Sequence, residues 1–166
     1  GYKHFFMVNA RNDAHGTNCA LFIKNYLKAR RVAVLNEKVA YCENLAKETI
    51  KALKDLGITD IMNETIVGGA KDYSAVLTKV KAYKPDVLFF IATTAPDQAI
   101  GVRQTKELGI DTIFFGTEGA RDKKDFIAAA EGAADLVERC AGHLPGKEHR
   151  DLTGPGQVLG AFLDLS

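Results

Sequence analysis

Cysteine and histidine are both scarce in this chain, and what there is of each is badly placed for chemistry. The three cysteines, Cys19, Cys42 and Cys140, are odd in number and far apart, which argues against a disulfide framework and a zinc cluster and leaves free thiols. The four histidines, His4, His15, His143 and His149, are scattered without metal-ligand spacing. No Gly-x-Ser-x-Gly elbow is present. The glycine pair of "VGGAKD" lacks the Gly-Lys-Ser/Thr ending that reaches phosphates and magnesium, and "GPGQVLG" at 154–160 has its last glycine one residue too far for a dinucleotide fingerprint. "NET" at 63–65 matches the glycosylation acceptor pattern but falls inside an expected strand, where a lone match is close to chance.

Long apolar runs are missing as well. No stretch reaches the roughly 18 residues a membrane span requires, and the N-terminus shows no basic segment followed by an apolar one. If the protein is exported, its signal has been removed, and composition leaves the compartment open. Charge of one sign is not in excess either. The formal net charge is +1 with both signs interspersed, so there is no footprint for nucleic acid. The densest basic group, "KARR" at 28–31, lies between a helical and a strand pattern and reads as a solvated helix end.

What is present is the composition of a single globular domain. A chain of 166 residues, 46% hydrophobic and 26% charged, has room for one real core. Short β-branched or aromatic runs alternate with amphipathic helical runs, the pattern of a parallel sheet with crossover helices. The reading is an open, mostly parallel five-stranded α/β sheet with helices on both faces. Its strands are "HFFMV" at 4–8, "RVAVL" at 31–35, "DIMNETIV" at 60–67, "DVLFFIA" at 86–92 and "TIFFG" at 112–116. The fourth is nearly all apolar, as a strand covered on both faces must be.

Helices are expected from about Ala14 to Ala29, along the stripe Cys42, Leu45, Ala46, Thr49, Leu53 and Leu56, and after Asp72 as N-cap. A fourth starts at Thr94, with a hydroxyl cap, Pro96 in the first turn and Asp97 three residues after the cap. Asp122 and Asp125 open a further helix through Ala130, after which "GHLPGKEHRDLTGPGQ" reads as a loop or linker.

Ligands of open parallel α/β sheets bind beyond the carboxyl ends of the strands. Four loops occupy that position, at 36–41, 67–72, 92–96 and 116–120. They nominate Tyr41, Thr93, Thr94 and Glu118 as ligand-facing side chains. The competing structural readings are a half-buried aromatic for Tyr41, an N-cap for Thr94 and a solvated turn for Glu118. Cys42 at a helix start is a candidate activated thiol, but its place on the apolar stripe favours a packed, inert one.

The order of blocks is more specific than any single motif. "NDAHGTNCALFI", "RVAVLNEKVAYCENLAKETIKALKDLG", "ETIVGGAKDYSAVLTKVKAYKPDVLFFIATTAPDQAIGVRQTKELGI" and "TIFFGTEG" follow one another as in the leucine/isoleucine/valine-binding proteins, the type I periplasmic substrate-binding proteins of branched-chain amino acid ABC transporters. The resemblance covers residues 1–134. It implies the flavodoxin-like second lobe of a two-lobed, non-catalytic protein that closes on an amino acid or related solute and delivers it to a membrane permease, with no cofactor. It further implies that residues 1–13 are a hinge or first-strand segment and 14–134 the binding lobe; residues 135–166 depart from the family pattern and are a tail to which no arrangement is assigned.

Carried over by this resemblance, Tyr41 in "EKVAYCENL" matches a tyrosine set beside the ligand, and Glu118 in "GTEG" matches the acid that pairs with the ligand's α-ammonium group. Thr94 stands where leucine-binding members carry an aromatic residue, a departure that bears on ligand identity. The groups that grip the α-carboxylate belong to the other lobe. A lobe standing alone is expected to cover its exposed surface by forming a homodimer. Two other readings compete: a ligand-sensing domain of a receptor or regulator with the same fold, and an enzyme using Cys42 or Glu118.

Overall fold

The computed structural model describes residues 12–117, together with 120, 126 and 130. Helix and strand alternate: α1 (Asn12–Asn25), β1 (Arg31–Glu37), α2 (Ala40–Asp55), β2 (Asp60–Ile66), α3 (Ser74–Tyr83), β3 (Val87–Ile91), α4 (Ala95–Glu107) and β4 (Ile113–Gly116). All strand pairs are parallel, in the order β2-β1-β3-β4.

The sheet therefore has four strands among the described residues, not the five expected. The segment at 4–8, read as a first strand, lies outside the described residues. β1 already has a partner on each side, β2 and β3, so it needs no earlier strand beside it. The helix expected from Asp122 to Ala130, Cys140 and the tail lie outside the described residues too, except that Phe126 and Ala130 are buried and the Ala130 N–H donates to the Phe126 carbonyl at 2.8 Å.

Strand alternation sends side chains into two cores. Val32, Val34, Val87, Phe89 and Ile91 face α1 and α2, while Ala33, Leu35, Leu88, Phe90 and Phe114 face α3 and α4. Every residue of β3 is buried. This is why the central strand reads as an unbroken apolar run rather than an alternating one. Aromatic rings brace both layers, with Phe89 against Phe115 at 4.8 Å between centroids on one side and Phe90 against Phe114 at 5.5 Å on the other. α1 and α2 approach so closely at Gly16 that a β-carbon there would lie 2.8 Å from the Glu48 Cβ and from the Thr49 backbone nitrogen.

Two helix ends differ from expectation for local reasons. α1 stops at Asn25 rather than near Ala29, because Lys28 takes a left-handed φ of 54° that no helix continues. α3 begins at Ser74 with Tyr73 as its capping position. Asp72 sits one residue outside, where its carboxylate accepts from the Ser74 N–H at 2.8 Å and the Ser74 hydroxyl at 3.0 Å. These bonds hold the Asp72 carboxyl below its ordinary pKa. Thr94, by contrast, caps α4 as expected, accepting from the Asp97 N–H at 3.2 Å.

The amino ends of the strands close with charge. Arg31 Nε meets Asp60 at 2.7 Å, the Tyr83 hydroxyl donates to the same carboxylate at 2.6 Å, and the Arg31 guanidinium stacks over the Tyr83 ring. The "KARR" segment thus ends in a paired arginine at the end of the sheet opposite the candidate loops. No helix among the described residues is long and apolar enough to cross a membrane.

Candidate functional site

All strands being parallel, their carboxyl ends lie on one edge, and three helices start there. α2, α3 and α4 aim their amino ends, with their partial positive charge, at the loops after β1, β2 and β3. The same edge carries Val39 (37% exposed), Tyr41 (38%) and Val67 (71%), the large apolar side chains left exposed among the described residues.

The nominated residues fall as follows. Tyr41 is the second residue of α2, at this edge and partly exposed. Thr93 and Thr94 form the loop between β3 and α4 and are themselves exposed. Their polar groups are nonetheless committed. The Thr93 N–H and hydroxyl donate to Glu37 Oε2 at 2.9 Å and 2.6 Å, and the Thr94 hydroxyl donates to Asp97 Oδ2 at 2.7 Å. Glu118 lies outside the described residues. Its neighbour Thr117 is held firmly, its N–H on Gln98 Oε1 and its hydroxyl on the Ala92 carbonyl, both at 2.9 Å.

Sequence reasoning missed the residues that do this holding. Glu37, the last residue of β1, is buried at 9% exposure. Asp97 is 3% exposed and accepts three bonds: from the Gly69 N–H at 2.9 Å, the Tyr73 hydroxyl at 2.8 Å and the Thr94 hydroxyl. Its place at the third position of α4 suggested only a dipole-facing acid. Gln98, fully buried, ties the loop after β4 to Ala92 through its Nε2 and Oε1 atoms. The one available signal was a carboxylate placed directly at the end of a buried strand, "RVAVLNE".

The glycine pair in "VGGA" has a structural explanation here. A β-carbon on Gly68 would lie 2.0 Å from Glu37 Oε1, and Gly69 takes a φ of 72° that turns its N–H toward Asp97.

Electrostatics at this edge keep the potential nucleophiles protonated. The Cys42 thiol, fully buried, is pushed up to about 11, first by burial and then by the charge of Glu37. The Tyr73 phenol is raised well above its ordinary value by burial and by donating to Asp97, with a further contribution from the charge of Glu37. Neither group is a ready nucleophile near neutral pH. Among the described residues no cluster of three or more His, Cys, Asp or Glu side chains is arranged to hold a metal ion. A groove of about 520 Å³ between α2 and β2, lined by Asn36, Glu43, Lys47, Ile50, Asn63 and Thr65 among others, runs along the flank of the sheet and reaches the carboxyl ends of β1 and β2.

A family model described as "Periplasmic binding protein" matches residues 1–142. An amino acid binding protein of Pseudomonas aeruginosa is 31% identical over 138 residues, 83% of this chain and 36% of its own length. A leucine-, isoleucine-, valine-, threonine- and alanine-binding protein of the same organism is 31% identical over 82% of the chain and likewise 36% of its length. Among solved structures, a leucine-binding protein of Thermotoga maritima superposes with a TM-score of 0.69 at 24% identity, covering 74% of this chain and 35% of that one. A branched-chain amino acid transporter substrate-binding protein of Streptococcus pneumoniae, in complex with isoleucine, gives 0.63 at 21% identity over 76% and 35%. The chain thus spans about a third of the length of the curated relatives it matches.

Proposed function

Because the chain belongs to the periplasmic binding protein family, we propose that it is one ligand-binding lobe of a two-lobed solute-binding protein. This protein captures a small amino acid-like molecule outside the cytoplasm and presents it to the permease of an ABC transporter. In this reading residues 14–134 are the lobe, residues 1–13 its hinge or first-strand segment, and residues 135–166 a tail outside the lobe.

The observation that carries this reading is the carboxyl edge of the sheet. The exposed apolar side chains Val39, Tyr41 and Val67 gather there around backbone loops whose polar groups are tied down by Glu37, Asp97 and Gln98. Such an edge is a wall prepared for a partner surface and a small ligand between them, since pockets combine apolar lining with a few fixed polar groups. Glu118, next to the anchored Thr117, is the group that pairs with the ligand's ammonium, and Tyr41 covers its side chain. Thr93 and Thr94 contribute mainly shape, because their hydroxyls are already donating to carboxylates. Thr94 also lacks the apolar face an aromatic residue would lay over the ligand, which weighs against a branched aliphatic side chain. A thiol-based enzyme is disfavoured, because the Cys42 thiol is buried and held protonated.

Thermal unfolding across a panel of L-amino acids and small carboxylates tests the reading. A ligand present at 100 times its dissociation constant stabilises the fold by about 2.7 kcal/mol, several degrees in the protein with both lobes. No shift with any member of the panel would refute it.

A further inference from the structure

Glu37 does more than end a strand. Its carboxylate takes both donors of Thr93, the N–H at 2.9 Å and the hydroxyl at 2.6 Å, across 56 positions of sequence. On its other side stands Gly68, so close that an added β-carbon would meet Oε1 at 2.0 Å and Cδ at 2.5 Å. The Lys38 N–H donating to the Ile66 carbonyl at 2.9 Å carries the β1–β2 ladder one step further and draws the loop after β1 to the start of the loop after β2. One carboxylate therefore touches the end of β1, the loop after β2 and the loop after β3.

Asp97 treats the next residue of each loop in the same way, taking the N–H of Gly69 and the hydroxyl of Thr94. Residues 68 and 69, and residues 93 and 94, are thus divided between two buried acids. A carboxylate suits this task because it is acceptor-only, with room for several donors, and charge-assisted bonds are the strong ones. Burying it is tolerable because those bonds replace water.

We propose that Glu37 is a positioning residue for ligand binding: by clasping Thr93 and seating Gly68 it sets the ligand-facing shape of the edge before any ligand arrives. The proposal rests on the reading of this edge as the ligand surface. Loops ordered in advance lose less freedom on binding, so the clasp acts on affinity through preorganisation rather than through contact. Glu37 is distinct in this from Tyr41 and Glu118, which meet the ligand directly.

The test uses the protein with both lobes and three variants: Glu37→Gln, which keeps the shape and removes the charge; Gly68→Ala, which evicts the carboxylate from the opposite loop; and Thr93→Val, which removes the hydroxyl alone. Two readouts are taken: the Thr93 amide proton shift and exchange rate without ligand, and the affinity for the L-amino acid that binds the unaltered protein most tightly. Glu37→Gln and Gly68→Ala are each expected to speed Thr93 amide exchange by tenfold or more and to weaken binding about tenfold, with the double variant no worse than either single one.

Glu37→Asp is expected to restore part of both readouts. Unchanged affinity overturns the proposal whatever the Thr93 amide does, and so does a Thr93 amide that is unmoved in Glu37→Gln and Gly68→Ala. If Glu37→Gln fails to fold, Gly68→Ala and Thr93→Val decide by the same criteria. If the unaltered protein binds no amino acid in the panel, it is the ligand reading that falls, while the Thr93 amide still decides whether the clasp exists.

Discussion

Thr94 shows how much one side chain can carry at this edge. Its hydroxyl oxygen accepts the Asp97 N–H and caps α4, while its proton goes to the Asp97 carboxylate. Thr94→Ala removes both bonds and leaves a buried carboxylate one donor short. A loss of about 1–2 kcal/mol is expected, read as a lower urea midpoint with an unchanged slope. Cys42 makes a separate prediction about pH. Its thiol is raised to about 11 in the folded chain, from an ordinary value of 9.0. The folded state therefore keeps a proton that the unfolded state gives up first, and the associated stability is present below pH 9 and lost as pH rises from about 9 to 11. Cys42→Ala should flatten that alkaline decline in a series of urea melts, and the unaltered thiol should resist a disulfide reagent at pH 8 until the fold is opened. Rapid labelling at Cys42 itself, read with Cys19 and Cys140 replaced by alanine, would contradict the burial assigned to it.

At the scale of elements, the close seat of α1 on α2 is the most exacting contact. Gly16→Ala gains helix propensity of about 1 kcal/mol. It also forces a methyl group to within 2.8 Å of the Glu48 Cβ and a backbone nitrogen, an overpacking that costs about 1–3 kcal/mol because backbone must move. A net loss of stability on denaturant melting is expected, whereas a net gain would show the two helices slide apart freely. The elements were also where the sequence was most legible. β1 and β3 are buried on both faces, so their apolar runs stood out, and the Cys42 to Leu53 stripe of α2 is buried as its spacing required.

What escaped was one local backbone angle and the non-local pairings. Lys28 ends α1 through a backbone angle that no residue pattern announces. Glu37 finds Thr93 across 56 positions and Asp97 finds Gly69 across 28. Pairings of that range exist only once the sheet has brought the loops together. Local signals could therefore nominate the loop residues Tyr41, Thr93 and Thr94 but not the carboxylates that hold them, and Glu118 stands beyond the described residues.

For the whole molecule, the exposed trio Val39, Tyr41 and Val67 implies a covering surface. In the two-lobed protein proposed above, the other lobe would supply that surface. The 166-residue chain by itself is expected to cover it with a second copy, so light scattering at high micromolar concentration should report a dimer, and Val67→Lys should shift it toward monomer. A persistent monomer would remove that expectation without touching the family assignment.

The central claim is that this lobe recognises a ligand's ammonium group through Glu118. Titration calorimetry of the two-lobed protein addresses it most directly, comparing the best-bound L-amino acid with its N-acetyl form in the unaltered protein and in Glu118→Gln. The account predicts that acetylation and the substitution each weaken binding by tenfold or more, and that together they do little further harm, because both remove the same charge pair. An N-acetyl form bound as tightly as the free amino acid, or an affinity untouched by Glu118→Gln, would contradict it.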